Sequence, residues 1–265
     1  MGIILGYVNQ CWRAIGTGIC FVLFGIGGLL LTLLVSPALW LFVRNSLARQ
    51  LKAQSIIHRI FKLFLVLIRW LGGADIEFVG MEKLKNDHGC LIVANHPSLI
   101  DYVMVASCLP QCDCVVKSAI FNNPCMSGIV KAAGYISNDD VGRCVDECIE
   151  RLQRGHVLLV FPEGTRTTPG KYPTLVRGAA QIATHAKVDL RLVHISVNTS
   201  LLDKEHKWYE IPLKRPFFRV EAKSKIAIKP FLREARSANA AARNLNKYLA
   251  EVLFPENMKI RQVER

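Results

Sequence analysis

The stretch CLIVANHPSLID, residues 90–101, joins a short apolar run to a turn that carries one imidazole and one carboxylate. An unbroken apolar run such as residues 90–94 is typical of a strand that is buried on both faces. The chain has further runs of this kind, and helical intervals separate them. The predicted strands are 90–94, 114–116, 157–161, 192–197 and a later one near 217–228, and the predicted helices are 98–107, 141–154, 175–186 and 235–253. This alternation predicts an α/β fold with a largely parallel central sheet flanked by helices.

The N-terminal region has a different character. Residues 14–43 contain no charged side chain between Arg13 and Arg44, and this length exceeds the roughly 20 residues that cross a hydrocarbon core. Pro37 predicts a kink or a break, so the pattern allows one tilted span or two shorter helices that enter and leave one leaflet. We therefore predict an N-terminal membrane-embedded segment.

Residues 44–71 carry six basic side chains and no acidic one, with apolar residues mostly three, four or seven positions apart. This pattern predicts an amphipathic helix at an anionic headgroup surface. A helix packed on a core with a solvated basic face is the alternative. We accordingly predict two parts: membrane and interfacial helices at 1–72 and an α/β domain at 73–265. The basic C-terminal flank of the apolar segment favours a domain that faces the cytoplasm at the inner membrane.

The formal net charge of +13 indicates polyanionic partners, which include nucleic acid, anionic lipids and an acidic carrier protein. A basic patch at 214–229 has no nucleic-acid-binding motif beside it, so we expect membrane lipids rather than nucleic acid as partners. The oligomeric state is left open. The nine cysteines show no paired C-x-x-C spacing, and we interpret them as reduced core residues and not as a metal site.

The pair His96 and Asp101 is the first candidate for chemistry. A separation of five residues in a regular helix would place the two side chains roughly 140° apart, so a bend has to bring them together. Pro97 suits the first turn of a helix, which would leave His96 just outside that helix and Asp101 inside it. A carboxylate on one ring nitrogen makes the other nitrogen a general base. Ser98 raises the alternative of a serine hydrolase, although the chain has no G-x-S-x-G elbow.

The stretch VFPEGTR, residues 160–166, is the second candidate and also follows a predicted strand. Ligands bind at strand ends in α/β sheets. Gly164 allows close backbone approach, and Arg166 offers a planar fork that matches a phosphate or carboxylate. Glu163 is placed to align either Arg166 or His96. On its own this segment would be interpreted as a structural turn.

Taken together, residues 96–101 and 161–166 resemble the motifs of the glycerolipid acyltransferase family, whose best-known members acylate lysophosphatidic acid. The resemblance covers about residues 75–200 and includes the stretch Arg177-Gly178-Ala179. It implies that His96 is the general base, that Asp101 orients it, and that the Glu-Gly-Thr-Arg turn binds the phosphate of the acceptor. The implied substrate-binding residues are Lys117, Glu163, Gly164, Thr165, Arg166 and Arg177. It also implies membrane attachment, a role in phospholipid biosynthesis, acyl-CoA or acyl-carrier protein as donor, and no cofactor.

Two departures from the family pattern concern the acceptor. Where the family usually has an arginine, residues 134–140 contain no cation and the first one is Arg143. In a later strand, His194 stands where a proline is usual, and we interpret it as an ordinary strand residue. The acceptor could therefore be lysophosphatidic acid, an aminolipid, or an aryl or polyene lipid. A non-catalytic membrane-surface protein that binds lipids or a carrier protein is the alternative from another class.

Overall fold

A seven-stranded sheet forms the centre of the computed structural model, which describes residues 2–167 and 173–254, with side chains from residue 6 onward. The strands are β1 (Asp75–Val79), β2 (Cys90–Ala94), β3 (Asp113–Val116), β4 (Ile136–Ser137), β5 (Val157–Val160), β6 (Leu190–Val197) and β7 (Phe217–Ile226). Their order across the sheet is β1-β7-β6-β2-β5-β3-β4. Strands β6, β2, β5, β3 and β4 are parallel to one another. Strand β7 is antiparallel to β6, and β1 is parallel to β7. The predicted largely parallel α/β sheet is confirmed.

Helices cover both faces of this sheet. They are α1 (Gly2–Leu30), α2 (Ser36–Phe42), α3 (Ser46–Trp70), α4 (Asp101–Ala106), α5 (Ser118–Phe121), α6 (Ser127–Ala132), α7 (Val141–Gln153), α8 (Gly178–Ala186), α9 (Lys229–Glu234) and α10 (Ala238–Leu253). Side chains of α3 and α4 pack on one face, and those of α7, α8 and α10 pack on the other. Strand β2 contributes to both layers: Ile92 and Ala94 to the first, Leu91 and Val93 to the second. The apolar run of β2 is continuous because the strand is buried on both faces, as predicted.

The N-terminal helix is continuous from α1 to α2 through a π-helical turn at Leu31–Val35. Pro37 lies in the first turn of α2. Its missing N–H costs few helical hydrogen bonds there, because the preceding π-helical turn already departs from the α-helical pattern. The helix is therefore not broken at Pro37, and the kink that was predicted as the other possibility stays a prediction, with a π-helical turn directly before the proline. The first clear interruption comes at residues 43–45, where the Asn45 side chain accepts from the amide of Ala48 and caps α3. The stretch Gly6–Phe42 is long and apolar enough to cross a membrane.

Helix α3 has two apolar faces. Ala53, Ile57 and Ile68 are buried against the rest of the chain, as expected for the alternative of a core-packed helix. A second set, Leu63, Val66 and Trp70, is 66–80% exposed. One face of α3 is thus part of the core, while the other presents large apolar side chains to the surroundings.

Candidate active site

The two sequence motifs meet at one edge of the sheet, beyond the carboxyl ends of neighbouring parallel strands. Strands β2 and β5 are hydrogen-bonded in a register that pairs Val93 with Val160. His96 and Glu163 therefore each lie three residues past the same pair. Lys117 follows β3, which is the next strand beyond β5. This edge is where α/β sheets place their ligands.

His96 and Asp101 are in direct contact. The His96 Nδ1 and Asp101 Oδ2 atoms are 2.8 Å apart, and the Ser98 amide donates to the same Oδ2 at 2.7 Å. Helix α4 begins only at Asp101, so the prediction that Pro97 lies in its first turn is wrong. The reason is that the intervening backbone is used elsewhere: the Ser98 amide binds Asp101, and the Leu99 amide donates to the Leu202 carbonyl at 3.0 Å. The bend that the spacing required is this non-helical turn at residues 95–100.

Burial dominates the electrostatics of the pair. Desolvation raises the pKa of the Asp101 carboxyl to about 6, and the hydrogen bond from His96 opposes this rise. Of its two oxygens, Oδ1 is buried and has no hydrogen-bond partner among the described residues. At neutral pH the carboxylate is ionised and accepts from Nδ1–H, which leaves Nε2 as the basic nitrogen. The His96 side chain is 20% exposed and its ring stacks on Phe161 at 4.4 Å between centroids. The imidazole is therefore oriented and still accessible.

The second turn holds the backbone of His96 from both sides. The His96 amide donates to Glu163 Oε1 at 2.7 Å, and the His96 carbonyl accepts from the Thr167 amide at 2.7 Å. The Thr167 hydroxyl donates to the other oxygen of Glu163. Burial raises the pKa of Glu163, and these hydrogen bonds oppose the rise. Of the two partners considered for Glu163, the structure shows His96 and not Arg166.

The other residues of the second turn are more open. Gly164 has a φ of 67°, a left-handed conformation that favours glycine, and Thr165 is exposed. Arg166 donates through Nη1 to the backbone carbonyls of Leu202 at 2.8 Å and Asp203 at 2.6 Å. A phosphate-binding role for these residues stays a prediction.

Lys117 and Arg177 are both exposed, and no described residue forms a hydrogen bond with either side chain. Lys117 immediately precedes α5, and Arg177 immediately precedes α8. The loop that carries Arg177 lies beside the second turn, because the Val176 amide donates to the Pro162 carbonyl at 2.7 Å. Their predicted contacts with substrate stay predictions as well.

Two contributions to the site were not identified from the sequence. The buried side-chain amide of Asn95 donates through Nδ2 to the Ile195 carbonyl at 2.7 Å and accepts through Oδ1 from the Ile195 backbone amide at 2.6 Å. It therefore continues the β2–β6 pairing as far as the residue before His96. The sequence feature that could have identified Asn95 was its position directly before His96. The second contribution is the loop after β6, where the Ser98 hydroxyl donates to the Leu201 carbonyl at 3.1 Å. Ser98 is fully buried in this contact, which argues against a nucleophilic serine.

The basic patch at 214–229 is largely paired with acidic side chains. Arg215 contacts Asp75, Arg219 contacts Glu77, and Lys225 contacts Asp87. His194 lies in β6 opposite Glu221 on β7, as expected for a strand residue. All nine cysteines are free thiols. Among the described residues no group of three or more His, Cys, Asp or Glu side chains is arranged to hold a metal ion.

The sequence and the fold of this chain are similar to those of known acyltransferases. Residues 75–198 match the model of a protein family described as Acyltransferase. The chain is 30% identical to 1-acyl-sn-glycerol-3-phosphate acyltransferase BAT2, chloroplastic, of Brassica napus over 192 residues, which are 68% of this chain and 52% of the relative. It is 28% identical to 1-acyl-sn-glycerol-3-phosphate acyltransferase alpha of Homo sapiens over 139 residues, 50% of this chain and 49% of the relative. It thus spans about half the length of these relatives.

A solved structure shares the fold over nearly the whole chain. It is the crystal structure of the 1-acyl-sn-glycerophosphate (LPA) acyltransferase PlsC from Thermotoga maritima, with a TM-score of 0.68. The alignment covers 94% of this chain and 96% of that chain at 19% sequence identity. Because the alignment covers 94% of this chain, the similarity includes most of the apolar N-terminal helical region as well as the sheet.

Proposed function

The chain belongs to the glycerolipid acyltransferase family, and from this premise we propose that it is a membrane-bound O-acyltransferase that acylates the free hydroxyl of lysophosphatidic acid. The contact between His96 and Asp101 at the ligand-binding edge of the sheet is the observation that carries the proposal. The names of the relatives support a 1-acyl-sn-glycerol 3-phosphate as acceptor. Such an activity belongs to phospholipid biosynthesis.

The proposed reaction is a direct acyl transfer with His96 as general base. Nε2 takes the proton of the acceptor hydroxyl while its oxygen attacks the carbonyl carbon of the acyl thioester. The new C–O bond forms, the C–S bond breaks, and the departing thiolate receives the proton from the imidazolium. Asp101 stabilises the imidazolium between these two proton transfers. The step needs no cofactor beyond the donor, which we propose to be acyl-CoA or acyl-carrier protein.

The proposed acceptor site uses the cations at the same edge of the sheet. Lys117, Arg166 and Arg177 are placed there by the ends of β3 and β5 and by the start of α8. Arginine and lysine are the side chains that bind phosphate groups. Gly164 and Thr165 would bring backbone and hydroxyl donors to the same phosphate, with Glu163 holding the turn in place.

A membrane location is supported by the distribution of apolar surface. The helix at Gly6–Phe42 presents most of its apolar length outward, and Leu63, Val66 and Trp70 of α3 are exposed beside basic residues. Apolar side chains flanked by cations suit the anionic face of a bilayer. We propose that the α/β domain lies on the cytoplasmic side of the inner membrane, where a lipid acceptor reaches the site from the bilayer.

An acceptor without a phosphate is the second candidate, because the structure near β4 favours it. Residues 138–140, where the family usually places an arginine, carry Asp139 and Asp140 instead. Asp139 accepts from the Ser137 hydroxyl at 2.7 Å, and Asp140 caps α7 through the Arg143 amide at 3.1 Å. Negative charge at this position would weaken phosphate binding. A neutral hydroxylated lipid or an aminolipid would suit it better.

The proposed function is tested by acyl transfer in membranes that contain the chain. Acyl-CoA and acyl-carrier protein are each supplied with lysophosphatidic acid, a lysoaminolipid or monoacylglycerol, and the products are identified by mass spectrometry. We expect acylated lysophosphatidic acid from the wild type, and a rate about 10²–10⁴-fold lower from His96→Ala, which removes the general base. The matched control is His88→Ala, an exposed histidine just before β2 at the opposite edge. Full activity of a folded His96→Ala protein would refute the mechanism, and a non-catalytic lipid binder would transfer no acyl group to any acceptor.

A further inference from the structure

The loop after β6 connects the two motif turns. We call residues 201–203 the bridging segment. On one side it holds the turn of His96: the Leu201 carbonyl accepts from the Ser98 hydroxyl at 3.1 Å, and the Leu202 carbonyl accepts from the Leu99 amide at 3.0 Å. On the other side its carbonyls accept from the Arg166 guanidinium. The Leu202 carbonyl therefore accepts hydrogen bonds from both motifs, from the Leu99 amide and from the Arg166 side chain.

The bridging segment needs such support. Leu202 has a φ of 53°, which is an unfavourable conformation for a residue with a branched side chain. Its side chain is buried in the same core cluster as Ile100. The Asp203 carboxylate is also buried and accepts from the amides of Glu205 and His206. Two of the three carbonyls in the segment accept hydrogen bonds from Arg166.

Support for the bridging segment reaches the imidazole through a short series of contacts. Ser98 binds Leu201 through its hydroxyl and Asp101 through its amide. The Asp101 oxygen that accepts from the Ser98 amide is the one that accepts from His96. A displacement of the bridging segment would therefore shift the carboxylate that orients the base.

We propose that Arg166 is a positioning residue for His96, which acts by holding the bridging segment against the turn at residues 95–101. Charge-assisted hydrogen bonds from one guanidinium nitrogen to two carbonyls are suited to this task. Nε and Nη2 of Arg166 have no hydrogen-bond partner among the described residues, so the same side chain keeps donors for an anion. The effect on catalysis rests on the proposed acyltransferase function, whereas the effect on the ligand-free structure does not.

The structural part is tested by hydrogen–deuterium exchange of the full chain in lipid nanodiscs without substrate. Arg166→Ala should accelerate exchange of the Ser98 and Leu99 amides about tenfold or more, since a lost contact raises the population of the open turn. The matched control is Arg233→Ala, an exposed arginine on α9, which should exchange like the wild type. Unchanged exchange at residues 95–101 in Arg166→Ala would overturn the proposal, because an arginine that only binds substrate has no effect before substrate arrives.

The catalytic part is tested by comparing acceptors with and without a phosphate. A positioning role predicts that Arg166→Ala lowers kcat about 10- to 100-fold with both lysophosphatidic acid and monoacylglycerol, and that Arg166→Lys, which can donate to the same carbonyls, recovers part of the loss. A loss confined to the KM for the phosphate-bearing acceptor would overturn it. If Arg166→Ala does not fold, Ser98→Ala cuts the neighbouring contact and should accelerate exchange at Leu99, and normal exchange there would again contradict the proposal. A wild type without activity would refute the proposed function and leave the exchange result valid.

Discussion

Replacing Asp101 by asparagine should inactivate the protein and stabilise it at the same time. Burial raises the pKa of this carboxyl from 3.8 to about 6, so at neutral pH the fold contains an ionised carboxylate that is less favourable than the same carboxylate in the unfolded chain. Because the folded-state pKa is the higher one, the stabilisation by the bound proton is fully present below about pH 4 and is lost as the pH rises through about 6. At about 1.4 kcal/mol per pKa unit, the ionised carboxylate costs on the order of 3 kcal/mol at pH 7.

An asparagine at this position carries no charge at any pH and avoids that cost. Its NH₂ group would take the place of Oδ1, which has no partner, and one unpaired buried donor offsets part of the gain. We expect the Tm of Asp101→Asn to exceed that of the wild type by roughly 3–6 °C at pH 8. Activity should fall about 10²–10⁴-fold, because an amide does not stabilise the imidazolium.

Thermal unfolding of both proteins between pH 5 and pH 8 provides the measurement, with acyl transfer assayed in parallel. The difference in Tm should shrink as the pH falls below about 6, where Asp101 in the wild type becomes protonated. A variant that is less stable than the wild type at pH 8, or a difference in Tm that does not change with pH, would refute the reasoning about burial. Retained activity would refute the orienting role.

Two further substitutions test how the site and the helices are supported. Asn95→Ala would leave the amide and carbonyl of Ile195 buried and unpaired; it should cost about 2–5 kcal/mol of stability, measured as a lower Tm, and a change of less than 1 kcal/mol would contradict this role. Gly128→Ala would place a Cβ 2.7 Å from Thr32 Cγ2, where α6 meets the π-helical turn, and overpacking should lower the free energy of unfolding by about 1–3 kcal/mol. The control Gly178→Ala has open space around the new Cβ and should leave the Tm within about 1 °C of the wild type. Equal effects of the two substitutions would count against the close contact.

The sheet was predictable where burial leaves an unmistakable pattern. Residues 90–94 form β2 with the predicted bounds, because a strand covered on both faces needs an unbroken apolar run. Strand β1 was missed, since it lies at the edge of the sheet and has the sequence DIEFV with partly exposed side chains. Strand β4 has only two residues, too few for any periodicity. The start of α4 was placed too early because Pro97 fits a helix start locally, while the backbone bonds of Ser98 and Leu99 prevent one.

In the site, the contact between His96 and Asp101 was predictable from the sequence, and the backbone contacts around it were not. The spacing of His96 and Asp101 required a bend, and the structure contains it. The bridging segment had no signal, because its contacts are made by backbone carbonyls, which no residue pattern records. The prediction for Arg166 was limited in the same way. A guanidinium after a strand is typical of an anion-binding site, whereas the hydrogen-bond partners of Arg166 in the structure are the carbonyls of Leu202 and Asp203.

The position of β1 has a consequence for biosynthesis. Its hydrogen-bonded neighbour among the described strands is β7, which follows more than a hundred residues later in the chain. At a synthesis rate of about 5–20 residues per second, β1 waits roughly 7–28 seconds for β7 to be synthesised. On the proposed membrane location, the apolar helix ahead of β1 would by then have had time to enter the bilayer. The chain would be anchored first and would complete its sheet at the membrane surface, which keeps an unpaired strand away from other nascent chains.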